Sequence, residues 1–371
     1  MKSKRTKHGR NFRNPNSKPH HTPTVGASEL EVQKLHPMSR KYALRLNEYY
    51  SRKFGQVVTP IALAKTLTVV SSSFTQNMPL WILNVAPSRH LKTQTTLDQQ
   101  QIFPRSKLVY AGSDFTIHGL IRDYNSGRDI DRKCLLINDM TLLLGSKAKQ
   151  TRGRLIDALS ELASEGRYIY SDFQHTYEVK ARFSLIANIT PHSFLVNRRQ
   201  LLGNTFTERC LVLYHSLTDQ EMSEANLNRD ARNMMRIQRF HSTIHESDVE
   251  VSSEDRVRFD EYARRWRLLA ASSSSSSLFD MIKTLAVAHA ILSSQTEITT
   301  QQYRFLDMLE PHLQNQWETV KLRILQLAHE GRSIKDICGI MNQDYETYRP
   351  YVSRVINEYR TIGVLGRSET G

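Results

Sequence analysis

Five short apolar runs, each separated from the next by a longer polar segment, constrain the fold of this 371-residue chain more than any other feature. The runs span residues 80–85, 107–111, 133–137, 183–187 and 210–214. Because they do not alternate apolar with polar residues, they are typical of strands buried on both faces of a parallel sheet. Segments between them, such as 154–165, have helical spacing and complete βαβ units. We therefore predict an α/β fold built on a central parallel sheet.

Changes in composition along the chain divide it into five predicted regions. These are a disordered basic tail (1–28), a helical lead (29–78), the sheet domain (79–218), a helical linker and lid (219–314) and a C-terminal domain (315–371). Within the lead, Thr59 and Pro60 indicate an N-cap and the first position of a helix. The six-serine run 272–277 is interpreted as a flexible linker.

Composition excludes several classes of protein. No stretch of about 18 uncharged apolar residues occurs, so we predict no transmembrane helix. The N-terminus is basic but lacks the apolar core of a secretory signal. Cys134, Cys210 and Cys338 are too far apart for a disulfide framework or a zinc spacing, so we expect reduced thiols in the cytoplasm.

The positive charge of the chain is concentrated near its start. The formal net charge is +14, and seven Lys and Arg residues precede the first acidic residue, Glu29. A basic tail attracts polyanions by releasing their counterions, without reading sequence. This composition favours a nucleic-acid partner, and a solubility tail or a targeting segment is the alternative.

The residues that follow the first apolar run match half of a phosphate-binding loop. That loop has a glycine, four residues, a second glycine, a lysine and a Ser or Thr. Here Ala86 and Leu91 replace the glycines, and Lys92 and Thr93 fit. In such loops backbone amides and a helix N-terminus hold phosphates, the lysine neutralises them, and the hydroxyl holds Mg²⁺. The candidate ATP-binding residues are Ser88, Arg89, His90, Leu91, Lys92 and Thr93.

A carboxylate follows the third apolar run, where the crevice of an open α/β sheet lies. This residue, Asp139, is the second candidate Mg²⁺ ligand beside Thr93 and a candidate catalytic residue. Met140 follows Asp139 directly. Many nucleotide-hydrolysing enzymes with a phosphate-binding loop carry at this position a glutamate that activates water, so no general base is evident here. Asp114 is a possible substitute.

Two further polar residues occur in the order expected of a nucleotide-hydrolysing site. Asn188 ends the fourth run and can sense the γ-phosphate or orient water, although a strand-end turn is an alternative. Arg209 precedes the last run, where an arginine can reach the nucleotide of a neighbouring subunit. An ordinary surface salt bridge explains Arg209 equally well.

The order of 86–93, 135–139, Asn188 and Arg209 resembles AAA+ and related helicase-like P-loop ATPases. The segment 137–144 with 155–166 is similar to divergent ATPases of phages, plasmids and archaeal elements. The pair 285–290 and 298–303 resembles the lid of minichromosome maintenance helicases. This resemblance implies a P-loop NTPase fold, ATP and Mg²⁺ as cofactors, nucleotide-dependent work on DNA, and a homo-oligomer.

The C-terminal region has the proportions of a winged helix-turn-helix domain. Helices are predicted over 317–329 and 334–341, and Pro350 opens or kinks a third that runs to Thr361. Residues 362–367 are predicted to form a short wing. A recognition helix places polar and basic side chains in the major groove of DNA, and a helical protein-interaction domain is the alternative. The candidate DNA-binding residues are Arg349, Tyr351, Ser353, Arg354, Asn357 and Arg360.

These observations support three hypotheses of function. The first is a DNA-associated ATPase, either helicase-like or an initiator or loader. The second is a non-hydrolysing DNA-binding regulator or replication initiator with a decayed nucleotide site. The third is a structural adaptor that binds a partner through its C-terminal domain.

Overall fold

The computed structural model describes residues 42–361, except 112–114, 128–129, 146–148, 172–174, 204–205, 228–233, 271–274 and 315–318. The predicted basic tail, residues 29–41 of the lead, Asp114 and the predicted wing lie outside the described residues. No helix in the described ranges has both the length and the apolar character needed to cross a bilayer.

Five parallel strands form the central sheet, as the apolar runs predict. They are β1 (Trp81–Val85), β2 (Leu108–Tyr110), β3 (Cys134–Ile137), β6 (Ser184–Ile189) and β7 (Leu211–Tyr214). Their order across the sheet is β2-β3-β6-β1-β7. Strand β1 therefore lies between β6 and β7, with Asn84 beside Asn188 and Val85 beside Tyr214.

The helices cover both faces of the sheet or follow it in the chain. They are α1 (Tyr42–Phe54), α2 (Thr59–Ser71), α3 (Lys92–Leu97), α4 (Gln99–Ile102), α5 (Ile117–Asn125), α6 (Met140–Gly145), α7 (Lys149–Glu165), α8 (Pro191–Gly203), α9 (Asp219–Leu227), α10 (Ser253–Leu269), α11 (Ser275–Leu292), α12 (Thr300–Leu309), α13 (Thr319–His329), α14 (Ile334–Ile340) and α15 (Tyr345–Thr361).

Alternate residues of the strands face two separate apolar layers. In β1, Ile82 belongs to the first layer, which α1, α2, α10, α11 and α12 share. Its neighbours Trp81 and Leu83 belong to the second layer, together with residues of α7 and α8. This alternation explains why the runs are largely apolar, since most strand side chains meet a helix on one face or the other; Tyr110, in the edge strand β2, is 39% exposed.

Helix α2 is the most enclosed element of the first layer. All of its residues, from Thr59 to Ser71, are buried, and it contacts β1, β6 and α11. The helix begins at Thr59 itself, whose hydroxyl donates to the Gly55 carbonyl oxygen at 2.8 Å, so Val58 rather than Thr59 is the N-cap. A helix that is apolar on all sides is typical of the centre of a protein.

A second, two-stranded sheet precedes β6 and was not predicted. It consists of β4 (Arg167–Ser171) and β5 (Thr176–Lys180), which pair antiparallel. Val179 and Tyr168 pack on the second layer. The outer faces of both strands are exposed, including Ile169.

The last three helices pack around an apolar core of their own. Val352, Val355, Ile356 and Tyr359 of α15 are buried in it. Helix α13 ends before Gly331, whose φ of +76° is a left-handed cap conformation. Helix α15 begins at Tyr345, so Pro350 lies inside it and does not open it, which leaves the other role that the sequence predicts, a kink.

Two predictions for the middle of the chain were wrong in detail. The segment after Thr218 is not helical throughout, because the described residues 235–252 contain no α-helix. The serine run is not a linker over its whole length either, because residues 275–277 form the first turn of α11. Residues 272–274 lie outside the described residues.

Candidate functional site

The candidate loop joins the end of β1 to the start of α3, at the carboxyl edge of the sheet. Its backbone takes the left-handed conformation at two residues that are not glycine. Arg89 has a φ of +70° and Leu91 a φ of +61°. Such a conformation costs about 1–3 kcal/mol per residue and persists only where the surroundings enforce it. Leu91 stands at the second glycine position of the phosphate-loop pattern, so the backbone there adopts a glycine-like geometry.

The side chain of Leu91 is directed toward the protein interior. It is partly buried and packs against the first apolar layer. Ser88 and Arg89 are exposed, and His90 is half-buried. The outer side of the loop is therefore formed by backbone and by polar side chains.

Lys65 of α2 holds the loop from beneath. Its ammonium group donates to the Lys92 carbonyl oxygen at 2.8 Å, and to the hydroxyls of Thr95 and Thr96 at 2.9 and 3.0 Å. A fourth contact, of 3.0 Å, reaches the side-chain oxygen of Asn188. Lys65 is completely buried. Burial lowers its pKa well below the usual value, and the charge of Lys92 lowers it further.

His215, which follows β7, holds the loop from the other side. Its Nε2 atom lies 2.6 Å from the His90 carbonyl oxygen, and its Nδ1 atom lies 3.1 Å from the Asn84 side chain. The His90 ring in turn accepts a hydrogen bond from the Leu217 amide at 2.8 Å. Burial lowers the pKa of His215 to about 3, so its ring is neutral at pH 7.

These contacts decide which way the loop peptides point. The carbonyl groups of His90 and Lys92 face the interior, toward His215 and Lys65. In a trans peptide the N–H group points opposite to the carbonyl group. The amides of Leu91 and Thr93 therefore face outward, where they are available to an anion together with the first amides of α3.

Lys92 is folded back onto its own loop. Its ammonium group donates to the Pro87 carbonyl oxygen at 3.2 Å, and the residue is 7% exposed. Burial lowers the pKa of Lys92, and the Asp139 carboxylate raises it by a smaller amount. The Asp139 carboxylate is therefore close enough to Lys92 to act on its charge. Thr93 is exposed at the start of α3.

Asp139 lies between the end of β3 and the start of α6. One of its carboxylate oxygens accepts a hydrogen bond from the Thr141 amide at 2.9 Å. Within the described ranges, the Asn138 side-chain oxygen and the Thr141 hydroxyl are buried without a hydrogen-bond partner. Three neighbouring residues therefore bring oxygen atoms to this corner. The described residues contain no group of three or more His, Cys, Asp or Glu side chains arranged to hold a metal.

The other two candidate catalytic residues lie in different places. Asn188 is completely buried, and its amide nitrogen donates to the Thr96 hydroxyl at 3.0 Å. It therefore contacts α3 from beneath. Arg209 precedes β7 and so lies at the amino edge of the sheet. Because β7 runs parallel to β1, Arg209 is a full strand length from the loop of its own chain.

The candidate DNA-binding residues lie on α15, away from its buried side. Arg349, Arg354, Asn357 and Arg360 are exposed, and Tyr351 and Ser353 are half-buried. Two of the arginines lie over aromatic rings. The distance from the arginine Cζ atom to the ring centre is 5.7 Å for Arg349 on Tyr345 and 5.5 Å for Arg354 on Tyr351. Ser353 follows Arg349 by four positions and Arg360 follows Ser353 by seven, so these three form one stripe along the helix.

Sequence reasoning missed Lys65, His215 and the β4–β5 hairpin. Lys65 is a lone lysine in an apolar helix, which is a signal for a buried partner. The hairpin strands alternate exposed with buried residues, which is the ordinary signal of a half-buried strand. Nothing in the local sequence marks His215.

Comparison with known proteins returned no match, either to a family model or to a curated protein.

Proposed function

We propose that this protein binds ATP with Mg²⁺ at the loop 88–93 and acts on DNA as an ATPase of the helicase-like or initiator class. The observation that carries the proposal is the glycine-like backbone of Leu91, with its side chain turned inward. That geometry supports the proposal, because the Leu91 side chain packs on the first apolar layer and not on the outer side of the loop, where the phosphates would lie. The five-stranded parallel sheet places the loop where open α/β sheets bind ligands.

The oxygen atoms near Asp139 fit a Mg²⁺ ion. Mg²⁺ takes oxygen ligands, retains several waters, and commonly uses one or two carboxylates together with substrate phosphates. Asp139 and Thr93 would hold it, and the unpartnered oxygens of Asn138 and Thr141 lie beside Asp139. The ion would neutralise phosphate charge there. Lys92 would leave the Pro87 carbonyl to contact the phosphates, and Asn188 would hold Thr96 and so the start of α3.

Arg209 supports an assembly of several subunits. It lies at the edge of the sheet opposite the loop, and its Nε atom is buried without a hydrogen-bond partner among the residues that the structure describes. An arginine in this position is too far from the loop of its own chain to contact a nucleotide there, and in an oligomer it could contact the nucleotide of a neighbouring copy. We therefore propose a homo-oligomer in which Arg209 acts between subunits.

One observation favours the second candidate, a nucleotide-binding regulator that does not hydrolyse ATP. Met140 occupies the position where a water-activating glutamate is expected, and it is 1% exposed within the second apolar layer. A buried thioether cannot accept a proton from water. Binding without rapid turnover is the outcome that this arrangement supports.

The C-terminal helices supply the proposed contact with DNA. Helix α14 is short and α15 presents arginines on one exposed side, in the manner of a recognition helix. We propose a winged helix-turn-helix domain, whose wing falls on residues 362–367.

The proposal is tested by ATP titration in a thermal-shift assay, since a ligand that binds only the folded state raises Tm. Wild type, Lys92→Ala and Lys180→Ala are compared with Mg²⁺ present, and phosphate release is measured with and without duplex DNA. We expect ATP to stabilise wild type and the exposed-lysine control Lys180→Ala, and to have little effect on Lys92→Ala. Equal ATP shifts in all three proteins would refute the site. Phosphate release stimulated by DNA would exclude the non-hydrolysing candidate.

A further inference from the structure

A cavity of about 640 Å³ opens on the amino side of the sheet, away from the loop. Its walls come from the end of α2, from Lys107, which precedes β2, and from Arg132, which precedes β3. Cavities of this size are typical of sites for small organic ligands. No residue assigned to nucleotide or DNA binding lines it.

The floor of the cavity is apolar and aromatic. Val69 and Phe74 are each 2% exposed and Phe103 is 5% exposed. Phe240 completes this surface and meets Phe103 edge-on, with 6.0 Å between the ring centres. A flat ring placed here would find aromatic edges and faces at the usual packing distances.

Two cations lie at the rim. Lys107 is half-buried, and in the described part of the chain no carboxylate pairs with its ammonium group. Burial lowers the pKa of Lys107, and the charge of Arg132 lowers it further. Arg132 is 64% exposed, and its Nε atom lies 3.9 Å from Asp131, which is a weak pairing. The rim therefore carries positive charge that an anion would neutralise.

Glu246, the acidic residue that lines the cavity, does not pair with the cations of the rim. One oxygen of the Glu246 carboxylate accepts hydrogen bonds from the amides of Thr75 at 2.7 Å and Gln76 at 3.1 Å, and the other accepts from Asn77. The carboxylate is thus held by three backbone donors, which already stabilise its charge. Glu246 closes one wall and leaves Lys107 to an external ligand.

The remaining wall is also fixed in place. The Phe240 amide donates to the Ile102 carbonyl oxygen at 2.9 Å, and the Tyr42 hydroxyl donates to the Gln238 carbonyl oxygen at 2.7 Å. These bonds hold the irregular segment before α10 against the first layer. A cavity with fixed walls loses little conformational entropy when it is filled.

We propose that this cavity binds a small aromatic anion, with its ring on Phe74, Phe103 and Phe240 and its acidic group on Lys107 and Arg132. The acidic group is a carboxylate, sulfonate or phosphate. The proposal is independent of nucleotide binding at the loop, because the two sites share no residue and lie at opposite edges of the sheet.

The test uses two probes with the same aromatic body. One is 1-anilinonaphthalene-8-sulfonate, and the other is N-phenyl-1-naphthylamine, which lacks the sulfonate. Fluorescence titrations are made on the full chain, as wild type, Lys107→Gln and Arg132→Gln. We expect one sulfonate probe per chain, and about tenfold weaker binding in Lys107→Gln, because a charge-assisted hydrogen bond is lost. Arg132→Gln should weaken it in the same direction, and affinity for the neutral probe should be unchanged in both.

Two control variants separate this cavity from other cationic surfaces. Lys180→Gln removes an exposed lysine of the β4–β5 hairpin, and Lys92→Ala alters the loop site. Both should bind the sulfonate probe as wild type does. Three results would each overturn the proposal: absence of one-to-one binding, unchanged sulfonate affinity in Lys107→Gln, or an equal loss of affinity for the neutral probe. Failure of ATP binding would leave these titrations unaffected.

Discussion

The ammonium nitrogen of Lys65 lies 3.0 Å from the side-chain oxygen of Asn188, and this contact joins a fully buried helix to the strand beside β1. The same nitrogen donates to the Lys92 carbonyl oxygen. One side chain therefore fixes both the start of α3 and the strand next to the loop. The loop owes its shape to this buried network, since its own residues are not glycines.

Replacing Lys65 with methionine should destabilise the fold by about 2–4 kcal/mol, because the Lys92 carbonyl and Asn188 lose a buried donor. The measurement is urea unfolding at pH 7. The control is Lys180→Met, since Lys180 is 64% exposed, and it should change the free energy of unfolding by less than about 0.5 kcal/mol. Similar midpoints for the two variants would contradict the role given to Lys65.

The left-handed backbone of Leu91 can be measured by comparing glycine with alanine at the same position. Both substitutions remove the leucine side chain, so their difference reports the backbone. We expect Leu91→Gly to be more stable than Leu91→Ala by about 1 kcal/mol. At Leu97, the last residue of α3, the order should reverse, with the alanine variant more stable by about 1 kcal/mol. If alanine were the more stable choice at both positions, Leu91 would not have the positive φ described here.

Two buried histidines should make the protein less stable in mild acid. Burial lowers the pKa of His215 to about 3 and that of His289 to about 4, both from 6.5. The unfolded chain therefore binds more protons than the folded one below pH 6.5. Stability is full above that pH and falls as the pH decreases toward the folded values.

Each histidine should account for a loss of about 2 kcal/mol between pH 7 and pH 5. Urea unfolding at the two pH values measures this, in wild type and in His289→Gln. The variant should lose about 2 kcal/mol less than wild type over that interval, whatever its stability at pH 7. An unchanged pH dependence would show that His289 is protonated in the folded state.

The arginines of α15 should contribute to DNA affinity through phosphates or bases. Removing Arg349 or Arg360 should weaken binding and, for a phosphate contact, reduce the slope of log K against log salt by about 1. Fluorescence anisotropy with a labelled duplex at several salt concentrations measures both quantities. Arg264→Ala on α10 removes an arginine that is 75% exposed, and this control should bind as wild type does. Equal slopes in all proteins would favour a protein-interaction role for α13–α15.

Most of the sheet could be predicted from the sequence, because burial on both faces leaves a continuous apolar signature. The five strands, α12 and the capping of α14 by Ser333 follow from local patterns. The β4–β5 hairpin was missed because its strands carry mostly charged and polar residues at exposed positions, so neither strand forms a continuous apolar run. The role of Pro350 could not be decided from the sequence, because a proline can open a helix or kink its interior, and this one lies inside α15.

Only part of the candidate site could be predicted from the sequence. Lys92, Thr93 and Asp139 follow from strand-end positions, since the carboxyl ends of parallel strands meet at one edge. The glycine-like backbone of Leu91 is not encoded locally, because Lys65 and His215 enforce it from distant parts of the chain. Interactions that span many residues leave no periodic trace in the sequence.

Complete enclosure of α2 has a consequence for the exchange of backbone hydrogens with solvent. Its residues from Thr59 to Ser71 are buried on every side, so no partial opening exposes them while the rest of the molecule stays intact. In deuterium oxide these protons should be the last to be replaced, at a rate set by global unfolding. The slowest signals in such an experiment would thus come from a segment that precedes the first strand of the sheet.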